Sequence, residues 1–264
     1  WTSFSVAKSL TSTLAGQALA EGKIRSLDDP VTRYVPELVG SSYDGVTVSQ
    51  ILTMSSGVKW DENYADPNSD VARMFSEPFA AGEDPMLNYL KKLPREAAPG
   101  TKWVYKTGET NLIGTIVQRA TGMVLTDYAK TKLVPAAGFE KPLFWLVDPT
   151  GTNVGGCCLS LTLRDYARFG LLALEGGRGV TARGWFADAT RSHYNVGVPG
   201  FGYGYQWWTY PDNRWGGQGI FGQAITVDPA RNLVVVQLGN WPKASDRAMR
   251  LAQLALVMRI ESAL

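Results

Sequence analysis

Ser5 and Lys8 stand three apart in Ser5-Val6-Ala7-Lys8. On a helix that spacing puts both on one face, a turn from each other. A serine hydroxyl is a weak nucleophile until a nearby base takes its proton. A lysine can be that base only where burial lowers its pKa and leaves the amine neutral. The spacing alone is a weak signal, since a chain this long shows about one such match by chance. There is a second match here, Ser56-Gly57-Val58-Lys59. Gly57 marks a helix end or turn, so Ser56 does not head a helix. Taken in isolation, Ser5 and Lys8 read more simply as a helix cap and a solvated lysine.

Two later stretches could complete such a site. Tyr105-Lys106-Thr107 follows the turn Pro99-Gly100-Thr101. A tyrosine just ahead of a buried helix can be held in a cleft and relay a proton, if an ammonium lowers its pKa. The plain alternative is a core tyrosine. Arg214-Trp215-Gly216-Gly217-Gln218-Gly219-Ile220 stands ahead of a hairpin. Glycines at a strand edge let a ligand approach the backbone, and an N–H there could join that of Ser5 in an oxyanion hole. The alternative is a turn that serves the hairpin.

The elements that must position these groups follow from periodicity. Val6, Ala7, Leu10, Leu14, Ala18 and Leu19 form an apolar stripe, with Ser3 and Ser5 as caps and Gly22 as a stop. Further helices are expected at Thr47–Thr53, Met86–Leu93, Asn111–Thr121, Leu125–Leu133 (stopped by Pro135), Thr162–Glu175, Thr181–Thr190 and Ala244–Leu264. Lys59 to Met74 reads as a long irregular stretch, often a functional one. Tyr203–Tyr210, Gln223–Val227 and Leu233–Leu238 read as strands, the last two joined by a loop at Asp228–Asn232. Helices in the middle, then strands and a closing helix, give an α+β fold with two lobes. The helical lobe spans about 25–180. The sheet lobe combines the first helix with about 200–264, all within one domain over 1–264.

The chain has 264 residues, a net charge of +2 and 45% hydrophobic residues. That supports a substantial core and shows no basic stripe for nucleic acid. No apolar run reaches membrane-spanning length. Cys157 and Cys158 are adjacent, and neighbouring cysteines rarely bridge, so they are expected to be small buried thiols. With the single His193 they lack the spacing of a zinc site. No metal or cofactor is expected, and the compartment stays open.

The order Ser5-x-x-Lys8, Tyr105-x-Thr107 and a glycine-rich strand edge resembles the serine β-lactamase and penicillin-binding-protein superfamily. Within it the chain is similar to the class C β-lactamase-like branch, with family VIII carboxylesterases and 6-aminohexanoate-dimer hydrolases. Phe4–Ser9, Leu52–Gly57, Pro99–Gly114, Gly155-Gly156 with Asp165–Gly170, and Gly219–Pro229 carry the likeness. It implies a β-lactamase/transpeptidase-like fold, with an antiparallel sheet flanked by helices and a mainly helical lobe. It also implies a serine hydrolase of esters or small amides, with Ser5 as nucleophile and Lys8 and Tyr105 as the proton shuttle. Thr107 would hydrogen-bond Lys8 or the substrate, and a backbone N–H within Gly216, Gly217, Gly219 and Ile220 would hold the oxyanion.

Departures from the pattern bear on substrate. The Tyr-x-Asn of β-lactamases is Tyr105-Lys106-Thr107 here, and 6-aminohexanoate-oligomer hydrolases tolerate a small hydroxyl residue at that third place. The Lys-Thr-Gly motif is replaced by Arg214-Trp215-Gly216, or read otherwise, Trp215-Gly216-Gly217 resembles the Trp-Gly-Gly of family VIII esterases. Trp60 to Pro67 resembles the loop whose tyrosine closes over substrate in the hydrolases of 6-aminohexanoate oligomers, which singles out Tyr64. Trp60, Tyr64, Trp207 and Trp208 are expected to include part of the acyl-side wall, although strand alternation would put one of the Trp pair in the core.

The competing activities are D-amino-acid peptidase or weak β-lactamase action. From another class, a non-catalytic binding or sensor protein could share the scaffold. In the family, strands of the central sheet precede the Ser-x-x-Lys helix, yet only four residues precede Ser5 here. A preceding segment or partner chain is therefore expected to complete the sheet.

Overall fold

The structure, a computed structural model, covers residues 1–264. Its central post is α1, Ala7–Ala20, buried from Ala7 to Ala18. The apolar stripe understates that burial, because Lys8, Ser9, Thr11, Ser12 and Thr13 are buried too. Their hydroxyls are satisfied by distant carbonyls: Ser9 donates to Gln206 at 2.8 Å, Thr11 to Gly155 at 2.6 Å and Ser12 to Tyr205 at 2.7 Å. Buried polar groups that find partners cost little, so a helix this polar can run through a core. Ser3 and Ser5 do not cap it; a short 3-10 turn, Phe4–Val6, leads in instead, with no capping side chain.

Around the post stand α2 (Val48–Leu52), α3 (Asp70–Ser76), α4 (Pro85–Leu90), α5 (Thr107–Thr121) and α6 (Leu125–Ala137). Thr47 and Gln50 form a capping box for α2. Helix α3 interrupts the stretch expected to be irregular, with the Ser69 side chain as its cap. Helix α6 passes through Pro135, where the sequence suggested a stop. The proline sits in the last turn, and Gly138 closes the helix with φ 70°.

Strands β1 (Phe144–Trp145) and β2 (Leu159–Ser160) pair by themselves, followed by α7 (Leu163–Leu174) and α8 (Trp185–Ala189). The main sheet is antiparallel, in the order β3 (Tyr194–Asn195), β4 (Gly202–Tyr203), β5 (Trp208–Thr209), β6 (Trp215–Gln218), β7 (Ala224–Asp228), β8 (Leu233–Gln237). The stretch Tyr203–Tyr210 is thus two strands folded on each other, not one. The cause is Gln206, which has φ 64° and whose side-chain amide donates to the Ile51 and Leu52 carbonyls at 3.2 and 2.8 Å. One apolar cluster joins α1, α5 and α7 to β6 and β7.

Strand β8 is the sheet's outer edge, and every residue in it is half-buried. Helix α9, Arg247–Ser262, buries only Val257, while Met249, Leu251, Leu256 and Met258 are exposed. No helix is long and apolar enough to cross a membrane.

Candidate active site

Ser5 lies at the middle of the 3-10 turn Phe4–Val6 at the head of α1, directly after the left-handed Phe4, φ 42°. Phe4 is held there by the Phe221 ring, with centroids 5.0 Å apart. One turn on, Lys8 is fully buried; its ammonium donates to Thr107 Oγ1 at 2.9 Å and to the Gly156 carbonyl at 3.0 Å. Gly156 must be glycine for that approach, because a Cβ would meet Thr107 Cγ2 at 2.9 Å and Asn111 Oδ1 at 3.0 Å. Burial pulls the Lys8 pKa down to about 8, with the Glu62 carboxylate working against it. A group so placed is partly neutral near neutral pH.

Tyr105 enters from the strand-like lead into α5. Lys8 Nζ lies 5.3 Å from its ring centroid, and Trp208 stacks on that ring at 5.5 Å. The expectation that the ammonium lowers the Tyr105 pKa is corrected: burial and then the Glu62 charge push it up, and the adjacent Ser5 hydroxyl only partly offsets them. Lys8 thus holds an amine that is partly neutral near neutral pH, and Tyr105 stays a phenol.

Glu62 is the residue that sequence reasoning missed. Its carboxylate accepts from the Thr107 N–H at 2.9 Å, from the Thr107 hydroxyl, from Trp60 Nε1 and from the Tyr64 hydroxyl at 2.5 Å. An anion at the first N–H groups of α5 suits the helix dipole. It also explains why α5 starts at Thr107, four residues before the expected Asn111, since Lys106 offers no side-chain cap. The available signal was an acid two residues before Tyr64 in Trp60-Asp61-Glu62-Asn63-Tyr64.

Two recesses meet at Ser5. One, of about 190 Å³, is lined by Tyr64, Tyr105, Trp208, Gln218, Gly219 and Arg250, among others. The other, of about 230 Å³, is mostly apolar, with Phe4, Val71, Ala72, Phe75, Cys157 and Ile220 in its wall. Thr107, Tyr64, Gly219 and Ile220 therefore come together with Ser5, Lys8 and Tyr105. Trp60 and Trp215 do not line the cleft. Trp60 is buried against Tyr89 and steadies Glu62, and Trp215 packs edge-on against Trp207 at 5.1 Å. Trp207 is core, stacked on Phe169, so of the Trp pair only Trp208 reaches the cleft.

The glycines divide as well. Gly216 is inside the ladder, between Trp208 and Thr226. Gly217 packs over Val6 and Ser9 of α1. Strand β5 pairs with β6 only at Trp215 and Gly216, so the β5-side edge of Gly217 and Gln218 has no strand on it. The Gly219 N–H is taken by the Gln223 carbonyl at 2.8 Å. Cys157 and Cys158 are not separate thiols: their sulfurs are bonded, in a turn where Cys158 has φ 69°.

Residues 1–258 match the family model described as Beta-lactamase. The chain belongs to the beta-lactamase family. It is an enzyme of that family, a hydrolase. It is 32% identical over 280 aligned residues to a 6-aminohexanoate-dimer hydrolase of Paenarthrobacter ureafaciens, covering 98% of this chain and 71% of the relative. In fold it is similar to a proposed 6-aminohexanoate-dimer hydrolase from Bacillus anthracis, with TM-score 0.85 and 21% identity over 100% of this chain and 73% of the other. A class C beta-lactamase solved with cefoxitin gives TM-score 0.74 and 22% identity over 100% of this chain and 84% of the other. The family fold thus accommodates a Thr at 107 and the absence of a Lys-Thr pair at 214–215.

Proposed function

We propose that the protein hydrolyses linear carboxylic amides and esters, of the 6-aminohexanoate-oligomer type, through an acyl-enzyme on Ser5. The observation that carries this reading is the buried Lys8 ammonium, one helical turn from Ser5, with its pKa drawn down to about 8. The 6-aminohexanoate-dimer hydrolase similar over 98% of the chain supports the substrate type.

In the reading, neutral Lys8 takes the Ser5 proton as Oγ attacks the carbonyl carbon. The oxyanion forms against the Ser5 N–H and an N–H on the open edge at Gly217–Gln218. The proton passes from Lys8 through the Tyr105 hydroxyl to the leaving amine or alcohol, and the C–N or C–O bond breaks. Water then attacks the acyl-enzyme, giving its proton back to the same pair. Collapse returns Ser5 and releases the acid. Thr107 and Glu62 hold Lys8 and Tyr64 in place, and Tyr64 leans over the cleft.

The test is a panel of p-nitrophenyl butyrate, a 6-aminohexanoate dimer, a D-Ala-D-Ala peptide and a chromogenic cephalosporin, with Ser5→Ala as control. Turnover of the first two that vanishes in Ser5→Ala is expected. An ester rate unchanged in Ser5→Ala would sink the assignment.

A further inference from the structure

Cys157 and Cys158 are the only cysteines of the chain, and the bond between them lies beside Ser5. Cys157 lines the apolar recess there, and both residues are half-buried, so a small reagent can reach them. The turn they close has an anchor on each side. Before it, the Gly156 N–H donates to Asn111 Oδ1 at 2.7 Å, and the Gly156 carbonyl accepts from the Lys8 ammonium at 3.0 Å. After it, the Leu159 carbonyl accepts from the N–H of Ser3 at 2.8 Å, just ahead of Phe4 and Ser5. Leu159 is itself held in β2, opposite Trp145.

Only the two cysteines separate these anchors, so their backbone sets both. Cys158 is left-handed, with φ 69°, an unfavourable region for a residue that carries a Cβ. A cross-link between neighbours holds the turn in that shape. Upstream there is no slack to absorb a change. Gly155 is pressed on α5, where a Cβ would meet the Thr110 carbonyl oxygen at 2.8 Å. Once the bond opens, Cys158 is free to leave the left-handed region. The displacement then falls on the Gly156 carbonyl that seats Lys8, on the Leu159 carbonyl that seats Ser3, or on both.

We propose that the Cys157–Cys158 bond is a thiol–disulfide exchange site in the wall of the cleft, and that a dithiol which opens it loosens the seats of Lys8 and Ser3 and slows turnover. The effect on turnover rests on the hydrolase reading above; the effect on the turn does not. In the exchange, one thiolate of the dithiol attacks the Cys157 sulfur, the bond breaks, and its electron pair leaves on Cys158. The second thiolate then displaces Cys157 from the mixed disulfide. The dithiol closes to its own disulfide, two electrons pass to the protein, and the two thiol protons end on the cysteines.

The experiment reads the bond, the turn and the rate separately. The native protein is treated with oxidised glutathione or with dithiothreitol, and the reagent is removed. Alkylation by iodoacetamide in denaturant, read by intact mass, should find no thiol after the first treatment and both cysteines after the second. Hydrogen exchange read by mass should quicken on reduction in the peptides that hold the Ser3 and Gly156 N–H groups. The kcat on p-nitrophenyl butyrate should fall roughly tenfold to a hundredfold, the scale of a small misplacement at a reacting centre, and return on reoxidation. The double variant Cys157→Ser with Cys158→Ser should keep the reduced rate under either treatment. Thiols that persist after oxidised glutathione, a kcat equal or higher after reduction, or a fall that the double variant shows as well would each overturn the proposal. The first two are read on the wild type, so they decide the matter even if the variant fails to fold. If neither form turns over, the hydrolase reading falls and exchange decides: quicker exchange on reduction keeps the coupling of the bond to the two seats, and unchanged exchange removes it.

Discussion

Lys8 and Thr107, 99 residues apart in sequence, are joined by a 2.9 Å hydrogen bond from the buried ammonium to a hydroxyl that in turn donates to Glu62. This chain of contacts fixes the Lys8 ammonium against the head of α5 and ties its charge to a carboxylate at the far side of Thr107.

The pH profile should follow Lys8. With its pKa lowered to about 8, roughly one molecule in ten carries the neutral amine at pH 7. Ester kcat/KM should rise close to tenfold per pH unit at acid pH and level off above about 8. Tyr105 adds no limb below that, because its pKa is pushed up. A rate flat between acid and neutral pH would remove Lys8 as the base.

Lys8→Met and Tyr105→Phe should each lower kcat by about two to four orders of magnitude, the usual worth of general acid–base groups. Retention of most activity by Tyr105→Phe would make the tyrosine a packing residue. Lys8 also leaves a mark on stability. Its folded pKa of about 8 lies below the ordinary 10.5, so between those values the unfolded chain binds more protons. Stability from this group therefore rises with pH through that window, by on the order of 3 kcal/mol. Chemical denaturation across the window should show the rise in the wild type and lose it in Lys8→Met.

Glu62→Gln separates charge from geometry. The Glu62 charge raises the Lys8 pKa, so its loss should move the rate limb to lower pH. It also sets an amide donor among groups that all donate, which should cost about 1–3 kcal/mol of stability. A limb that stays put, with stability lost, would reduce Glu62 to a helix cap.

Tyr64→Phe should lower amide hydrolysis more than ester hydrolysis, because the poorer leaving group needs more help. The Tyr64 hydroxyl is already donated to Glu62 at 2.5 Å beside Ser5. Equal losses on both substrates would leave it as a wall of the cleft.

We further propose that the outer edge of β8 is paired by a strand from a preceding segment or a partner chain. The edge strand is half-buried throughout, and α9 beside it exposes four large apolar residues. Open edges of this kind promote association. The 264-residue chain alone should self-associate and bind a hydrophobic dye. A monomeric, cooperatively unfolding and active chain with that edge open to water would refute this.

The sequence by itself determined a good deal. Helix α1 was legible because Gly22 and an apolar stripe bound it, and β7 and β8 because β-branched runs flank a turn. The placement of Ser5 and Lys8 one turn apart was legible because helical spacing is local. What lies across the fold was not. Glu62 meets Thr107 from a position 45 residues earlier in the sequence, so the start of α5 could not be placed from α5 alone. Gln206 breaks Tyr203–Tyr210 because its amide finds carbonyls at Ile51 and Leu52, an interaction no periodicity encodes. Trp207 and Trp208 were indistinguishable until the sheet chose their faces. Arg250 is one arginine among several on a surface-type helix, and only the return of α9 against the turn at Gly219 and Gly222 carries it to the recess that holds Ser5. Local spacing fixes which groups share an element; desolvation and charge, which decide which of them reacts, depend on what the rest of the chain brings alongside.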